Sequence, residues 1–521
     1  MIETAPPRVT LRNYFSRSYD SAIAAARTCY SATLITPDQI TDKQRVNIGA
    51  ATFEGGHHTV YQHAHFEFGL ENVSRQLVWS FLHSHPFYNS EQQSQRYVRL
   101  DQVQAFLPPI DGEARQVYEQ AVERAWDYYR QLSALLRDDT HAVLADIWHL
   151  SEMSHERRHK KVSRQAEKKA IEIARYVLPI GAFTTMVHTL SGITLHRLWR
   201  MQRAGDTPYE ASRVVQEMVA RVKEVDPQFF ERVGKSPLTD EQLPELRFME
   251  ETRRSPEGGG GQPCSNGFRR EVDAQLNGRV SVLVDYSPNA ERVVAQAVRA
   301  VLGRSQAEMS DDDALDAVLN PARNRYRLET LNVSAHSPLM RALNHATYTF
   351  TKRISHTADS QDQRHRMVPA SRPLLLLTDS PEPDYITPML IRGNARAGEV
   401  YQQAMAEAWQ AKNCLLELGV PREFALYVLP NATAVRFVES GALIHLLHKW
   451  TMRTCFNAQE EIYQASMEEI EQVRQVHPRL MRYVGPPCYF RAGIASPICT
   501  EGSHFCGVKV WESFPGINRR I

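Results

Sequence analysis

Arg8–Tyr14 (RVTLRNY) alternates polar and apolar positions with period two, which predicts a strand. Asp20–Tyr30 (DSAIAAARTCY) is rich in alanine and predicts a helix. The same pair returns much later, as the strand pattern Arg279–Tyr286 (RVSVLVDY) and the helical pattern Pro288–Val301 (PNAERVVAQAVRAV). Other segments recur in the same order. Gln62–Phe68 (QHAHFEF) matches Asn344–Phe350 (NHATYTF), and Ala114–Trp126 matches Ala397–Trp409. Ala174–Pro179 (ARYVLP) matches Ala425–Pro430 (ALYVLP), and Leu195–Arg200 resembles Leu447–Arg453. Several matches in one order imply an internal duplication. Apolar positions at helical spacing predict a helix over Ala397–Leu418, stopped by Gly419-Val420-Pro421, and a second long helix over Leu443–Ile462. Leu446, Leu447 and Trp450 of that second helix read as core. Each copy is a short sheet with several long helices, an α+β fold in two homologous, helix-rich domains.

The two copies are expected at 1–234 and 278–480. A linker at 235–277 is predicted from the four consecutive glycines within Ser255–Arg270, and a Cys-containing tail occupies 481–521. The first copy carries an extra basic segment, His141–Lys169, which could touch an anionic ligand or could be a solvated helix face. A chain of 521 residues with 42% hydrophobic and 23% charged residues is ordinary for a soluble protein, and its net charge of +1 gives no field that would draw nucleic acid or a membrane. The first residues lack the pattern of a secretory signal, and no apolar run is long enough to span a bilayer. Seven cysteines in such a chain fit a reducing cytoplasm.

Candidate chemistry centres on Ile354–Arg366 (ISHTADSQDQRHR). It ends in Arg364-His365-Arg366, two cationic forks around an imidazole, suited to a phosphate or another flat anion. A solvated basic turn is the alternative. The first copy has the altered run Val73–His85 (VSRQLVWSFLHSH) in its place. In the tail, Cys488, Cys499, His504 and Cys506 could form a tetrahedral zinc site, although the spacing is not a CxxC pair; reduced cysteines in a loop are the alternative. Cys455 reads as a small core residue, and Cys29, Cys264 and Cys414 carry no spacing signal.

These residues give each half a resemblance to the flavin-dependent thymidylate synthases. That family's signature combines an Arg-His-Arg triplet, a Ser-x-Arg-Tyr segment, an Ala-Arg-x-x-Leu-Pro segment and a late helix with an arginine before Ala-Gln-x-Glu-Ile. Neither half carries it all. The first has Ser94-Gln95-Arg96-Tyr97 and Arg175 but His83-Ser84-His85 at the triplet, and its late helix is interrupted by Gly205 and Pro208. The second has the triplet, Gln361, and Arg453 with Ala458, Gln459, Glu461 and Ile462, but no Ser-x-Arg-Tyr, and Leu426 stands where the first half has Arg175. The losses are complementary, and a fused pseudo-dimer would hold one complete composite site and one eroded site.

What the resemblance implies is conversion of dUMP to dTMP, with methylenetetrahydrofolate as carbon donor and NADPH-reduced FAD as hydride source. It implies that Ser94, Arg96 and Arg175 hold the phosphate and that Gln361 reads the uracil or sugar edge. Arg453, the catalytic candidate, would stabilise charge on the uracil. Arg364, His365 and Arg366, together with His57 and Thr59, would meet the flavin. Gln62 and Asn344 stand where the family has a glutamate, and the family's Asn-Ala-Arg is replaced by Ser191-Gly192 and Ser440-Gly441. Since the family is tetrameric, this chain is expected to be a homodimer. Two alternatives are a catalytically degenerate pyrimidine-nucleotide-binding protein and a flavin methylase acting on another uracil nucleotide.

Overall fold

The computed structural model describes residues 4–84, 87–150, 156–248 and 265–521. In the first half the order is β1 (Arg8–Tyr14), α1 (Ser18–Thr28), α2 (Asp42–Glu54), β2 (His65–Ser74), α3 (Arg75–His83), β3 (Tyr88–Gln92), α4 (Gly112–Ile147), α5 (Glu156–Ala174), β4 (Phe183–Ser191), α6 (Gly192–Arg200) and α7 (Pro208–Val225). The second half continues with α8 (Ser265–Leu276), β5 (Ser281–Tyr286), α9 (Ala290–Leu302), α10 (Asp311–Leu319), β6 (Thr347–Ser355), α11 (His356–Asp362), β7 (Ala370–Ser371), α12 (Ala395–Glu417), β8 (Ala434–Ala442), α13 (Leu443–Arg453) and α14 (Glu460–Val476). Each half forms one antiparallel sheet, β1-β2-β4-β3 and β5-β6-β8-β7.

The repeat seen in the sequence is repeated in register. His65 lies opposite Ser191 in one sheet, and Thr347 lies opposite Ala442 in the other. Ser74 caps α3 by accepting from the Leu77 amide at 2.8 Å; Ser355 caps α11 by accepting from the Ala358 amide at 3.1 Å. Each serine donates from its amide and hydroxyl to a buried glutamate on a late helix, Glu210 (2.7 and 2.6 Å) and Glu461 (both 2.6 Å).

The late helix is broken in both halves. Residues 454–459 separate α13 from α14, so the single helix predicted over Leu443–Ile462 is two. In the first half, Pro208 opens α7 at its first turn, where its missing N–H costs nothing, rather than disrupting a helix. Within the predicted linker, α8 is ordered and its Asp273 pairs with Arg436 at 2.7 and 2.8 Å; the glycine run lies outside the described residues.

The halves meet along the ARYVLP and ALYVLP segments. Pro179 and Pro430 form an antiparallel bridge, flanked by Ile180 N–H to Leu429 O (2.8 Å) and Asn431 N–H to Leu178 O (2.8 Å). Tyr427 donates to Glu210 at 2.7 Å, and Tyr176 donates to Glu461, so each tyrosine completes the opposite half's buried glutamate. In α4, Tyr118, Val122, Trp126, Tyr129, Leu132 and Leu136 are buried at helical spacing. They share one core with Tyr401, Met405 and Trp409 of α12, while each sheet has its own second core. The first half's basic insertion lengthens α4 and adds α5, whose C-terminal end leads directly into Arg175. No helix among the described residues is long and apolar enough to cross a membrane.

Candidate active site

The end of α5, the strand β3 with the residues after it, and the C-terminal end of α11 surround a cavity of about 470 Å³. From the first half, Ser94, Arg96 and Arg175 line it; from the second, Gln361, Arg364 and Arg366 do. Contact between the two sets is direct. Arg96 Nη1 donates to Gln361 Oε1 at 3.3 Å, and Arg96 Nη2 donates to the Asn457 carbonyl at 2.7 Å.

One further arginine, Arg75, also lines the cavity. Its Nη2 donates to the Gln93 carbonyl at 2.9 Å. Burial, with Arg175 nearby, pushes Arg75 down to about 9. One carboxylate, Glu172, lies 3.4 Å from Arg96 Nε and also acts on Arg175. Burial alone would raise Glu172, but Lys169, Arg96 and Arg175 hold it down to about 2. Among the described residues, Nε of Arg75 and Arg175, and Nη2 of Arg175, have no hydrogen-bond partner. A surplus of buried positive charge with unmet donors is unfavourable without an anion, and a phosphate supplies both the charge and the acceptors.

At the cavity's outer rim, Arg364 pairs with Glu91 at 2.6 Å, and Arg366 donates to Asn89 at 3.3 Å while lying 5.1 Å over the Tyr88 ring. His365 turns inward. Its Nε2 accepts from Arg453 Nε at 2.9 Å, and burial together with Arg453 and Lys449 keeps the imidazole neutral. Arg453 stands one layer behind the cavity, with Nη2 donating to the Gln361 carbonyl at 2.8 Å and its pKa pushed by burial down to about 10. Gln361 Nε2 has no partner among the described residues.

Two sequence expectations fall elsewhere. His57 and Thr59 are exposed at the turn between α2 and β2 and do not line the cavity. The zinc expectation is corrected: among the described residues no group of three or more His, Cys, Asp or Glu side chains is arranged to hold a metal. Burial pushes the Cys488 thiol up to about 12, leaving it protonated, and Cys506 donates to the Val508 carbonyl at 3.6 Å. Cys455, expected as core, is partly exposed, with its thiol also pushed up to about 12 by burial. Sequence reading missed Arg75 and Glu172. Glu172 sits three residues before Arg175 on the same helix, a spacing that brings both to one face, and this was the available signal.

A family profile described as thymidylate synthase complementing protein matches residues 10–228 and 282–479. The flavin-dependent thymidylate synthase of Clostridium tetani is 28% identical over 239 residues, 45% of this chain and 89% of that protein. The enzyme of the same name from Sulfolobus acidocaldarius is 32% identical over 214 residues, 40% of this chain and 76% of that protein. A solved structure, described as a UMP/dUMP methylase from Streptomyces cacaoi bound with 5-Br dUMP, covers 44% of this chain and 95% of its own, at a TM-score of 0.32 and 16% identity. With the profile matched twice over most of its length, this chain belongs to the thymidylate synthase complementing protein family.

Proposed function

We propose that this protein is a flavin-dependent thymidylate synthase that binds dUMP in one composite site between its halves. The observation that carries this reading is the cavity shared by Ser94, Arg96 and Arg175 with Gln361, Arg364 and Arg366, with unmet guanidinium donors at one end. In this reading the 5′-phosphate takes those donors from Arg75 and Arg175, with the Arg96 cation and the Ser94 hydroxyl beside them. Gln361 is held by Arg96 and Arg453 and keeps its free Nε2–H for a uracil carbonyl.

When carbon 5 of uracil attacks the methylene carbon of methylenetetrahydrofolate, negative charge moves out of the ring. Gln361, backed by the Arg453 cation, lies where that charge can be stabilised without reorganisation. Arg453 acts here through Gln361 and His365, as a positioning residue. Arg364 and Arg366 fit the phosphates of FAD, being rim cations whose partners are Glu91 and the Ser90 carbonyl, and Asn89 and the Tyr88 ring. FAD, recharged by NADPH, would supply the hydride that completes the methyl group. The reading covers dUMP and leaves UMP as a competing substrate.

A second reading, a nucleotide-binding protein without flavin chemistry, is favoured by the inward-turned His365 and by the distance of His57 and Thr59 from the cavity lining. The visible spectrum of purified protein separates the two. Flavin bands that bleach on anaerobic NADPH with dUMP present are expected for the enzyme. Colourless protein that takes up no FAD, yet binds dUMP, would establish the second reading instead.

A further inference from the structure

A second cavity, of about 380 Å³, lies between α3 and α6 of the first half and the β7 segment of the second. It is the counterpart of the first cavity with the halves exchanged, as the sheet registers allow to be read position by position. Glu91 lies opposite Val187 and Ser371 opposite Val438, which makes Ser371 the equivalent of Glu91, Leu374 of Ser94 and Leu376 of Arg96. Leu426 takes the place of Arg175 in the shared YVLP segment. Counting from the capping serines, His83 is the equivalent of Arg364; counting from the ends of β4 and β8, Gln202 is the equivalent of Arg453.

The equivalents of Arg75, Arg96, Arg175 and Arg364 are therefore neutral or apolar. The one arginine in the wall, Arg372, is matched by Asp359 through hydrogen bonds of 2.7, 2.8 and 3.0 Å. His356, at the position of Arg75, is buried, holds Gln76 at 2.8 Å, and is kept neutral by burial. A phosphate has no clamp in such a cavity.

The cavity has nonetheless kept polar groups with nothing to bind. Among the described residues Gln202 Oε1, Thr207 Oγ1 and His83 Nδ1 lack hydrogen-bond partners, while His83 Nε2 lies 3.3 Å from Asp359. Gln202 is 7% exposed and Thr207 1%. Leu77, Trp79, Leu198, Met201, Val215 and Leu374 supply apolar walls around them. Buried polar atoms without partners are costly, and an apolar pocket with a few convergent polar groups is the usual form of a site for a small uncharged molecule. Both donors and acceptors are on offer, as a ring carrying N–H and carbonyl groups requires.

We infer that this second cavity binds an uncharged pyrimidine nucleoside or base, with Gln202, Thr207 and His83 reading its polar edge. The inference rests on the composite-site reading for the equivalence of the two cavities, and the test keeps the two claims apart. Calorimetric titration with thymidine and with dUMP is made on the full chain and on Arg96→Ala and Gln202→Leu variants. One dUMP and one thymidine are expected to bind per chain without competing. Arg96→Ala is expected to weaken dUMP by tenfold or more and leave thymidine unchanged, with Gln202→Leu doing the reverse; the retained affinity in each case reports an intact fold. No thymidine binding, thymidine that dUMP displaces, or thymidine binding untouched by Gln202→Leu would overturn the inference. Loss of dUMP binding from the wild type with thymidine retained would instead overturn the composite-site function alone.

Discussion

In the proposed site Arg75, Arg96 and Arg175 form the phosphate end, and each can be removed singly. Arg96→Ala, Arg175→Ala and Arg75→Ala are each expected to weaken dUMP by about tenfold to a hundredfold, the range for a charge-assisted hydrogen bond. Arg75 adds a pH dependence. Its pKa of about 9 lies below that of any ordinary guanidinium, so on raising the pH it is the first of the three to lose its charge. The affinity for dUMP should therefore fall above about pH 9, where uracil N3 also ionises, and Arg75→Ala should lessen that bend; titration calorimetry across this range checks both. Glu172 works in the other direction. Its folded pKa of about 2 lies below the ordinary 4.5, so its ionised form stabilises the fold above that value and the contribution is lost as the pH falls toward 2. Glu172→Gln should flatten the fall of the urea midpoint over that acid window. Ser94, Arg96, Arg175, Gln361, Arg364 and Arg366 were legible in the sequence because each sits in a short motif. Arg75 was not, since only the folded chain brings the start of α3 beside Gln93 and Arg175. The depth of Arg453 and His365 was hidden too, since spacing along a helix does not tell which layer a side chain reaches.

Helix and strand patterns identified most elements, and the misses have physical causes. The helix predicted over Leu443–Ile462 breaks because Gln459 caps a new one, its Oε1 accepting from the Glu461 and Ile462 amides at 3.0 and 3.2 Å. A difference between the halves that periodicity could not reveal lies beneath α11 and α13. Lys352, Lys449, Asp362, Glu439 and Glu469 are all fully buried, with Lys449 2.5 Å from Glu439 and 2.9 Å from Asp362, and Lys352 2.6 Å from Glu469. Their first-half equivalents are Leu70, Leu198, Phe81, His188 and Met218. Lys449→Met alone leaves buried carboxylates unmatched and should cost about 3–5 kcal/mol in urea unfolding. Replacing all five with the first half's residues should cost less than Lys449→Met alone, because a packing of these positions without buried ion pairs already exists in this chain. Between the halves, a Cβ at Gly181 would come 2.8 Å from the Tyr427 carbonyl oxygen. Gly181→Ala should thus destabilise the crossing by about 1–3 kcal/mol and weaken dUMP with it.

On the scale of the whole molecule, the duplication lets two copies of one fold diverge within a single chain. One cavity concentrates charge and the other sheds it, while the shared core and the Tyr176–Glu461 and Tyr427–Glu210 contacts keep the halves in one arrangement. If two such chains build the assembly of a tetrameric family, light scattering should give about twice 59.5 kDa. The central claim is that one nucleotide site is built from both halves. It is tested most directly by measuring dUMP stoichiometry and affinity for the wild type, Arg96→Ala and Gln361→Ala. The account predicts one site per chain, weakened by either substitution although the two residues lie 265 positions apart. Two equivalent sites per chain, or a site that only one of the two substitutions affects, would contradict it.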